Sequence, residues 1–242
     1  HKINSGLAIL LSTSGTTGSP KFVKLTYSNL FDNAKKIANF LNIKSTDRPI
    51  TTMQPSYIYG LSIINSHLLK GSAIVITQDS LVEKRFWKIF KESKATTFGG
   101  VPFLYHLLMK LKFENMNLPS LKYITQAGGK LSNLLLLRLI KICKKKKIKL
   151  YVMYGQTEAT GRMSYLEDKY NNKKIGSIGK PLPGGNFYLY GDKNKLIKKN
   201  NTSGELIYTG KNVMQGYAKN IYDLKKGDVN KRILPTGDVA KR

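Results

Sequence analysis

Cysteine is almost absent. Cys143 stands alone, so the chain can form no internal disulfide, which suits a reducing, cytoplasmic setting. Long apolar runs are missing too. None reaches the ~18 residues that span a bilayer. The longest, such as LSIINSHLL at 61–69, are broken by polar side chains and offer no transmembrane helix. Acidic residues are scarce: 14 Asp and Glu stand against 41 Lys and Arg, a formal net charge of +27. Arginine is scarce within that excess, at positions 48, 85, 138, 162, 232 and 242 only. Proteins that read phosphates and bases draw on arginine's planar fork as well as on lysine. Here lysine is scattered among abundant Asn, Ile and Tyr, all residues with AT-rich codons. The charge therefore indicates no specific nucleic-acid partner, though weak attraction to polyanions follows from it. The densest run, KKKK at 144–147, suits the end of a helix, where cations meet the negative end of the dipole.

What the sequence does contain is alternation. Apolar strand-like runs at 7–13, 22–26, 50–53, 73–77, 96–98, 121–125 and 149–153 alternate with helical spacing at 61–69, 82–92, 103–111 and 133–145. A further helix is expected from Leu30, Ala34, Ile37 and Leu41, with Ser28 as its N-cap. The pattern predicts a layered α/β fold with a largely parallel sheet over 1–174. From about 175 the runs shorten, Gly and Pro become frequent, and no helix is expected. Residues 175–242 read as a small β-rich subdomain. His67 and His106 fall within apolar helical runs and read as structural.

Between the first two strands lies STSGTTGSPK, residues 12–21. Backbone N–H groups of such a turn can converge on an anion, with hydroxyls and a lysine adding donors and charge. It is not a Walker loop. Gly15 and Gly18 are wrongly spaced, Lys21 follows Pro20, Phe22 stands where a Mg²⁺-binding hydroxyl belongs, and a strand follows instead of a helix. Residues 13–21 instead resemble, at every fixed position, the T-S-G-T-T-G-x-P-K signature of adenylate-forming enzymes such as acyl-CoA synthetases. Three further segments resemble that family's motifs in its order: MYGQTEAT (153–160) for Y-G-x-T-E, GELIYTGKNVMQGY (204–217) for G-E-L…G-Y, and LPTGDVAKR (234–242) for T-G-D. The resemblance covers the whole chain.

It implies ATP-dependent activation of a small carboxylic acid as an acyl-adenylate, then transfer to a thiol. ATP and Mg²⁺ would be required. CoA is the expected acceptor, and a carrier-protein phosphopantetheine is the alternative. Thr13, Ser14, Gly15, Thr16, Thr17 and Gly18 would hold phosphates, with charge from Lys21. Glu158 would hold Mg²⁺, and Thr157 would bond the α-phosphate. Tyr154, Gly155, Gly128 and Gly129 would line the adenine site, and Asp238 would accept from the ribose hydroxyls. Tyr59, Val101, Gln126 and Met163, with Tyr57 and Pro102, are expected around the acyl group.

Two departures qualify the resemblance. QPSYIYGLS (54–62) lacks the histidine that many acyl-CoA synthetases place before Gly-Leu. It also lacks the aspartate with which peptide synthetases hold an amino group, which argues against α-amino-acid substrates. The second departure is length. The chain begins at His1, close to the phosphate loop, and ends at Arg242, before the family's hinge and mobile C-terminal domain with its catalytic lysine. It is expected to be an internal portion of the core, and by itself to form adenylate poorly. A nucleotide- or polyanion-binding module without catalysis is the alternative reading. The sequence does not indicate an oligomeric state.

Overall fold

The structure, a computed structural model, describes residues 3–12, 21–191 and 195–241. The chain divides into two compact units. Unit 1 draws on 1–33, 156–163 and 181–242, and unit 2 on 34–155 and 164–180. Strands β1 (Leu7–Ser12) and β2 (Phe22–Thr26) pair antiparallel, with Ser12 opposite Phe22. That register sets Ser12 beside Phe22. Helix α1 (Tyr27–Phe40) follows directly. Its cap is Thr26, not Ser28: the Thr26 hydroxyl accepts the Asn29 N–H at 3.0 Å, and the Asn29 side chain accepts the Thr26 N–H at 2.9 Å. This reciprocal pair satisfies two donors at the helix start, and Ser28 lies within the first turn.

Unit 2 continues with α2 (Ile58–Leu68), α3 (Lys84–Glu92), β3 (Thr97–Gly100), α4 (Pro102–Lys110), β4 (Tyr123–Gln126), α5 (Asn133–Lys146) and β5 (Lys149–Tyr154). β3, β4 and β5 are parallel neighbours, as the alternation predicts. β6 (Ser164–Leu166) then pairs antiparallel with β5, and β7 (Lys180–Pro181) completes a five-stranded sheet. The strands expected at 50–53 and 73–77 reduce to single bridges, Ile50 to Val75 and Pro49 to Thr97. The reason is local. The Thr51 hydroxyl donates to the Thr77 carbonyl and accepts from the Thr77 N–H at 3.0 Å, replacing backbone ladder bonds with side-chain ones. The core of this unit includes Phe86, Phe90, Phe98, Phe113, Leu139 and Leu150, all fully buried. Phe98 meets Phe90 and Phe113 edge-on, a favoured aromatic geometry. Cys143 is buried as well, and burial pushes its thiol up to about 12, so it is no nucleophile at neutral pH.

The remaining strands belong to unit 1: β8 (Asn186–Tyr190), β9 (Ser203–Thr209), β10 (Tyr217–Ala218) and β11 (Ile233–Lys241). β8, β9 and β11 form an antiparallel sheet, while β10 joins β2. β11 is interrupted. Pro235 faces Ile207 and Val239 faces Glu205, so Thr236, Gly237 and Asp238 bulge out of the ladder. Beyond residue 175 no α-helix occurs among the described residues, only a 3₁₀ turn at Ile221–Lys225. The chain passes from unit 2 back to unit 1 at Pro181. No helix among the described residues is long and apolar enough to cross a membrane.

Candidate active site

In unit 1 the downstream motifs are tied together by hydrogen bonds. Glu158 sits in a 3₁₀ turn, Thr157–Ala159, immediately after Gln156. Its carbonyl accepts the Met214 N–H at 2.8 Å, and its carboxylate Oε1 accepts from the Tyr217 hydroxyl at 2.8 Å. Partial burial and that carboxylate push the Tyr217 phenol well above its ordinary range, so it remains a donor. The Lys21 ammonium lies over the same ring, 4.3 Å from its centroid. Asn212, fully buried, donates to the carbonyls of Ala159 and Arg162 and accepts from the Tyr208 hydroxyl. These bonds fix the turn that carries Thr157 and Glu158. Gln156 reaches in the other direction, to the bulge in β11. Its Nε2 donates to the Thr236 carbonyl at 2.8 Å and to Asp238 Oδ2 at 3.0 Å.

Unit 2 gathers its expected residues at the carboxyl ends of its parallel strands. β3 leads into Val101, β4 ends at Gln126 just before Gly128, and β5 ends at Tyr154 before Gly155. Ligands of open α/β sheets bind at such ends. Gly128 has φ +74, the left-handed region that favours glycine, and a Cβ there would lie 2.7 Å from the Tyr57 hydroxyl and 3.0 Å from Val101 Cγ1, so the Tyr57 side chain would have to move aside for it. Gln126 is buried and donates to the Gly129 carbonyl at 2.6 Å. Tyr59 is also buried, with its hydroxyl on the Thr125 carbonyl at 2.7 Å, whereas Tyr57 is exposed. Met163, in unit 1, is fully buried, and its carbonyl accepts the Leu182 N–H.

Thr13, Ser14, Gly15, Thr16, Thr17 and Gly18 lie outside the described residues. The sequence reading gave no role to Tyr217 or Gln156. One occupies the last position of the G-E-L…G-Y segment, the other the variable position of Y-G-x-T-E. Among the described residues no cluster of three or more His, Cys, Asp or Glu could by itself hold a metal. A single carboxylate, Glu158, fits a Mg²⁺ that takes its other ligands from phosphate and water.

A model of the AMP-binding enzyme family matches residues 4–218. The chain belongs to that family. Among curated relatives, it is 30% identical over 234 residues to a 2-succinylbenzoate–CoA ligase of Bacillus licheniformis, covering 96% of this chain and 47% of that protein. It is 29% identical over 238 residues to an oxalate–CoA ligase of Arabidopsis thaliana, covering 96% of this chain and 45% of the relative. Among solved structures, O-succinylbenzoate coenzyme A synthetase of Bacillus subtilis, in complex with ATP and magnesium ion, matches with a TM-score of 0.83. That match has 27% identity and covers 99% of this chain and 48% of the other. The same synthetase in complex with AMP gives the same TM-score. This AMP-binding enzyme chain thus spans about half the length of the curated relatives it matches.

Proposed function

We propose that the chain is the nucleotide-handling portion of a ligase that activates a carboxylic acid with ATP and passes the acyl group to a thiol. The observation that supports this best is the unit 1 network, which joins Lys21, Glu158 and Asp238 to fixed partners through Tyr217 and Gln156. A carboxylate cannot expel oxide. Its oxygen instead attacks the α-phosphorus of ATP, the bond to the bridging oxygen breaks, and pyrophosphate leaves. The mixed anhydride then has AMP as its leaving group. A thiolate attacks the acyl carbon, AMP departs, and a thioester forms. CoA is the acceptor in this reading, because the relatives named above are CoA ligases; a carrier-protein phosphopantetheine is the second reading.

The assigned side chains match the charges of these steps. Lys21, together with the Thr13–Gly18 segment, would bind the leaving pyrophosphate. Glu158 would hold Mg²⁺, which when bound neutralises phosphate charge. Thr157 would donate to the α-phosphate. Asp238 offers two carboxylate oxygens to two ribose hydroxyls. Tyr154, Gly155, Gly128 and Gly129 are assigned to the adenine, and Tyr59, Val101, Gln126 and Met163 to the neighbourhood of the acyl group. The lone buried Cys143 accords with a cytoplasmic enzyme.

The test is a panel of carboxylic acids, including 2-succinylbenzoate and oxalate, assayed with the full-length protein by pyrophosphate release. Acid-dependent release that requires Mg²⁺ is expected. A competing reading, a polyanion-binding module, draws on the net charge of +27. It requires salt-sensitive RNA binding at least as strong as ATP binding, with no pyrophosphate release from any acid. That outcome would overturn the enzyme reading.

A further inference from the structure

We propose that Tyr217 is a positioning residue that keeps the Lys21 ammonium and the Glu158 carboxylate apart, each available to its own part of Mg²⁺-ATP. The inference rests on the functional reading above. Lys21 and Glu158 are opposite charges that share one neighbour. A direct ion pair between them would compete with phosphate for the lysine and with Mg²⁺ for the carboxylate. The structure shows a different arrangement. Lys21 Nζ lies over the face of the Tyr217 ring, 4.3 Å from the centroid, while the hydroxyl at the ring's edge donates to Glu158 Oε1 at 2.8 Å. One side chain satisfies both groups without neutralising either. The ring face attracts a cation through its quadrupole, and the hydroxyl is a neutral donor that leaves the carboxylate its charge.

The ring is held firmly enough to act this way. Tyr217 pairs with Val23 in the β2–β10 ladder. Just before it, the Lys24 N–H donates to the Gly216 carbonyl and the Gln215 N–H to the Lys24 carbonyl, each at 3.0 Å. The chain after β10 is fastened back onto β2 by Lys24. That side chain is almost wholly buried, and its ammonium donates to the carbonyls of Asp223 and Lys226 at 2.9 Å each. Glu158 is anchored from the same stretch, since its carbonyl accepts the Met214 N–H. Residues 214–217 therefore fix both the backbone and the carboxylate of Glu158, and present the ring to Lys21.

The test uses the full-length protein and two variants, Tyr217→Phe and Tyr217→Leu, with thermal melting of each as a check on folding. Two quantities are read by calorimetric titration: ATP affinity in EDTA, and the Mg²⁺ concentration that half-restores full affinity. Tyr217→Phe keeps the ring and loses the donor. It should raise the half-restoring Mg²⁺ concentration on the order of tenfold, with ATP affinity in EDTA changing far less. Tyr217→Leu loses the ring as well and should weaken ATP binding in EDTA by a further severalfold. A folded Tyr217→Phe variant with wild-type Mg²⁺ dependence would overturn this inference alone. A wild-type protein that binds no Mg²⁺-ATP would overturn the functional reading and this inference with it. Should Tyr217→Leu fail to fold, the near-isosteric Phe variant still decides the matter.

Discussion

The Gln156 side-chain amide donates to Asp238 Oδ2 at 3.0 Å and, from the same nitrogen, to the Thr236 carbonyl at 2.8 Å. The variable position of one motif thus holds the carboxylate of another, on a bulge in β11. If Asp238 receives the ribose, Gln156→Ala should remove one of the hydrogen bonds that orient that carboxylate. Losing a hydrogen bond to a charged group should raise the dissociation constant for AMP roughly tenfold. Gln156→Glu should be worse, because it sets like charges against each other. Calorimetric titration of AMP checks both variants, and the contrast with 2′-deoxy-AMP localises the effect. A deoxy analogue that loses as much affinity as AMP would place the defect elsewhere.

Asn212 makes the corresponding bonds at the other end of the turn. It is fully buried, donates to two carbonyls and accepts from Tyr208. Asn212→Ala strands those partners away from water and should cost about 2–5 kcal/mol of stability. Asn212→Asp keeps the shape but buries a charge with two carbonyls facing it, and should cost at least as much. Urea denaturation reports both values. A loss below about 0.5 kcal/mol for the alanine variant would contradict the network, since that is the range of ordinary surface changes.

How much of this was legible in the sequence depends on the range of the interaction. The α/β alternation was readable because helical period and apolar strand runs are local signals, and α2 to α5 lie within a few residues of expectation. The strands at 50–53 and 73–77 shrank to bridges: backbone bonds join Thr51 and Pro49 to Val75, but at Thr77 the partner is the Thr51 hydroxyl and not the next backbone group. β11 shows no continuous apolar alternation in the sequence, since the bulged Thr-Gly-Asp breaks it. The motif carboxylates Glu158 and Asp238 could be named from pattern alone. Their pairing with Tyr217 and Gln156 could not, because those residues lie 59 and 82 positions away from them along the chain, and no periodicity links such positions.

His67 should give the protein a pH-dependent stability that does not involve the site. Its Nδ1 lies 2.8 Å from the Ile63 carbonyl, which can only accept, so Nδ1 carries the proton and Nε2 accepts from the Tyr123 hydroxyl at 3.1 Å. Burial outweighs the Ile63 bond and the nearby Asp47 charge, and holds the ring below its ordinary value of 6.5. Above about 6.5 both folded and unfolded chains carry a neutral ring. As the pH falls below that, the unfolded chain takes up a proton first, so stability falls by up to about 1.4 kcal/mol per unit until the folded ring also protonates. Urea midpoints at pH 7.5, 6.5 and 5.5 should show this decline, and His67→Gln should flatten it. An unchanged slope in that variant would assign the decline to other groups.

Two glycines with nearly the same backbone conformation should respond very differently to alanine. Gly71 has φ +70 and open space where a Cβ would stand. Gly71→Ala therefore meets only the cost of the left-handed conformation, about 1–2 kcal/mol. Gly179 has φ +77, but a Cβ there would overlap the backbone carbonyl of Tyr165 in β6. Backbone cannot give way as a side chain can. Tyr165 is itself pinned, paired with Met153 of β5 and stacked on Phe40 at 4.0 Å between centroids. Gly179→Ala should thus cost about 3 kcal/mol or more, by displacing either β6 or the turn before β7. Thermal or urea denaturation of the two variants side by side separates conformation from collision. Equal losses would mean that the approach of residue 179 to Tyr165 is not as close as the structure places it.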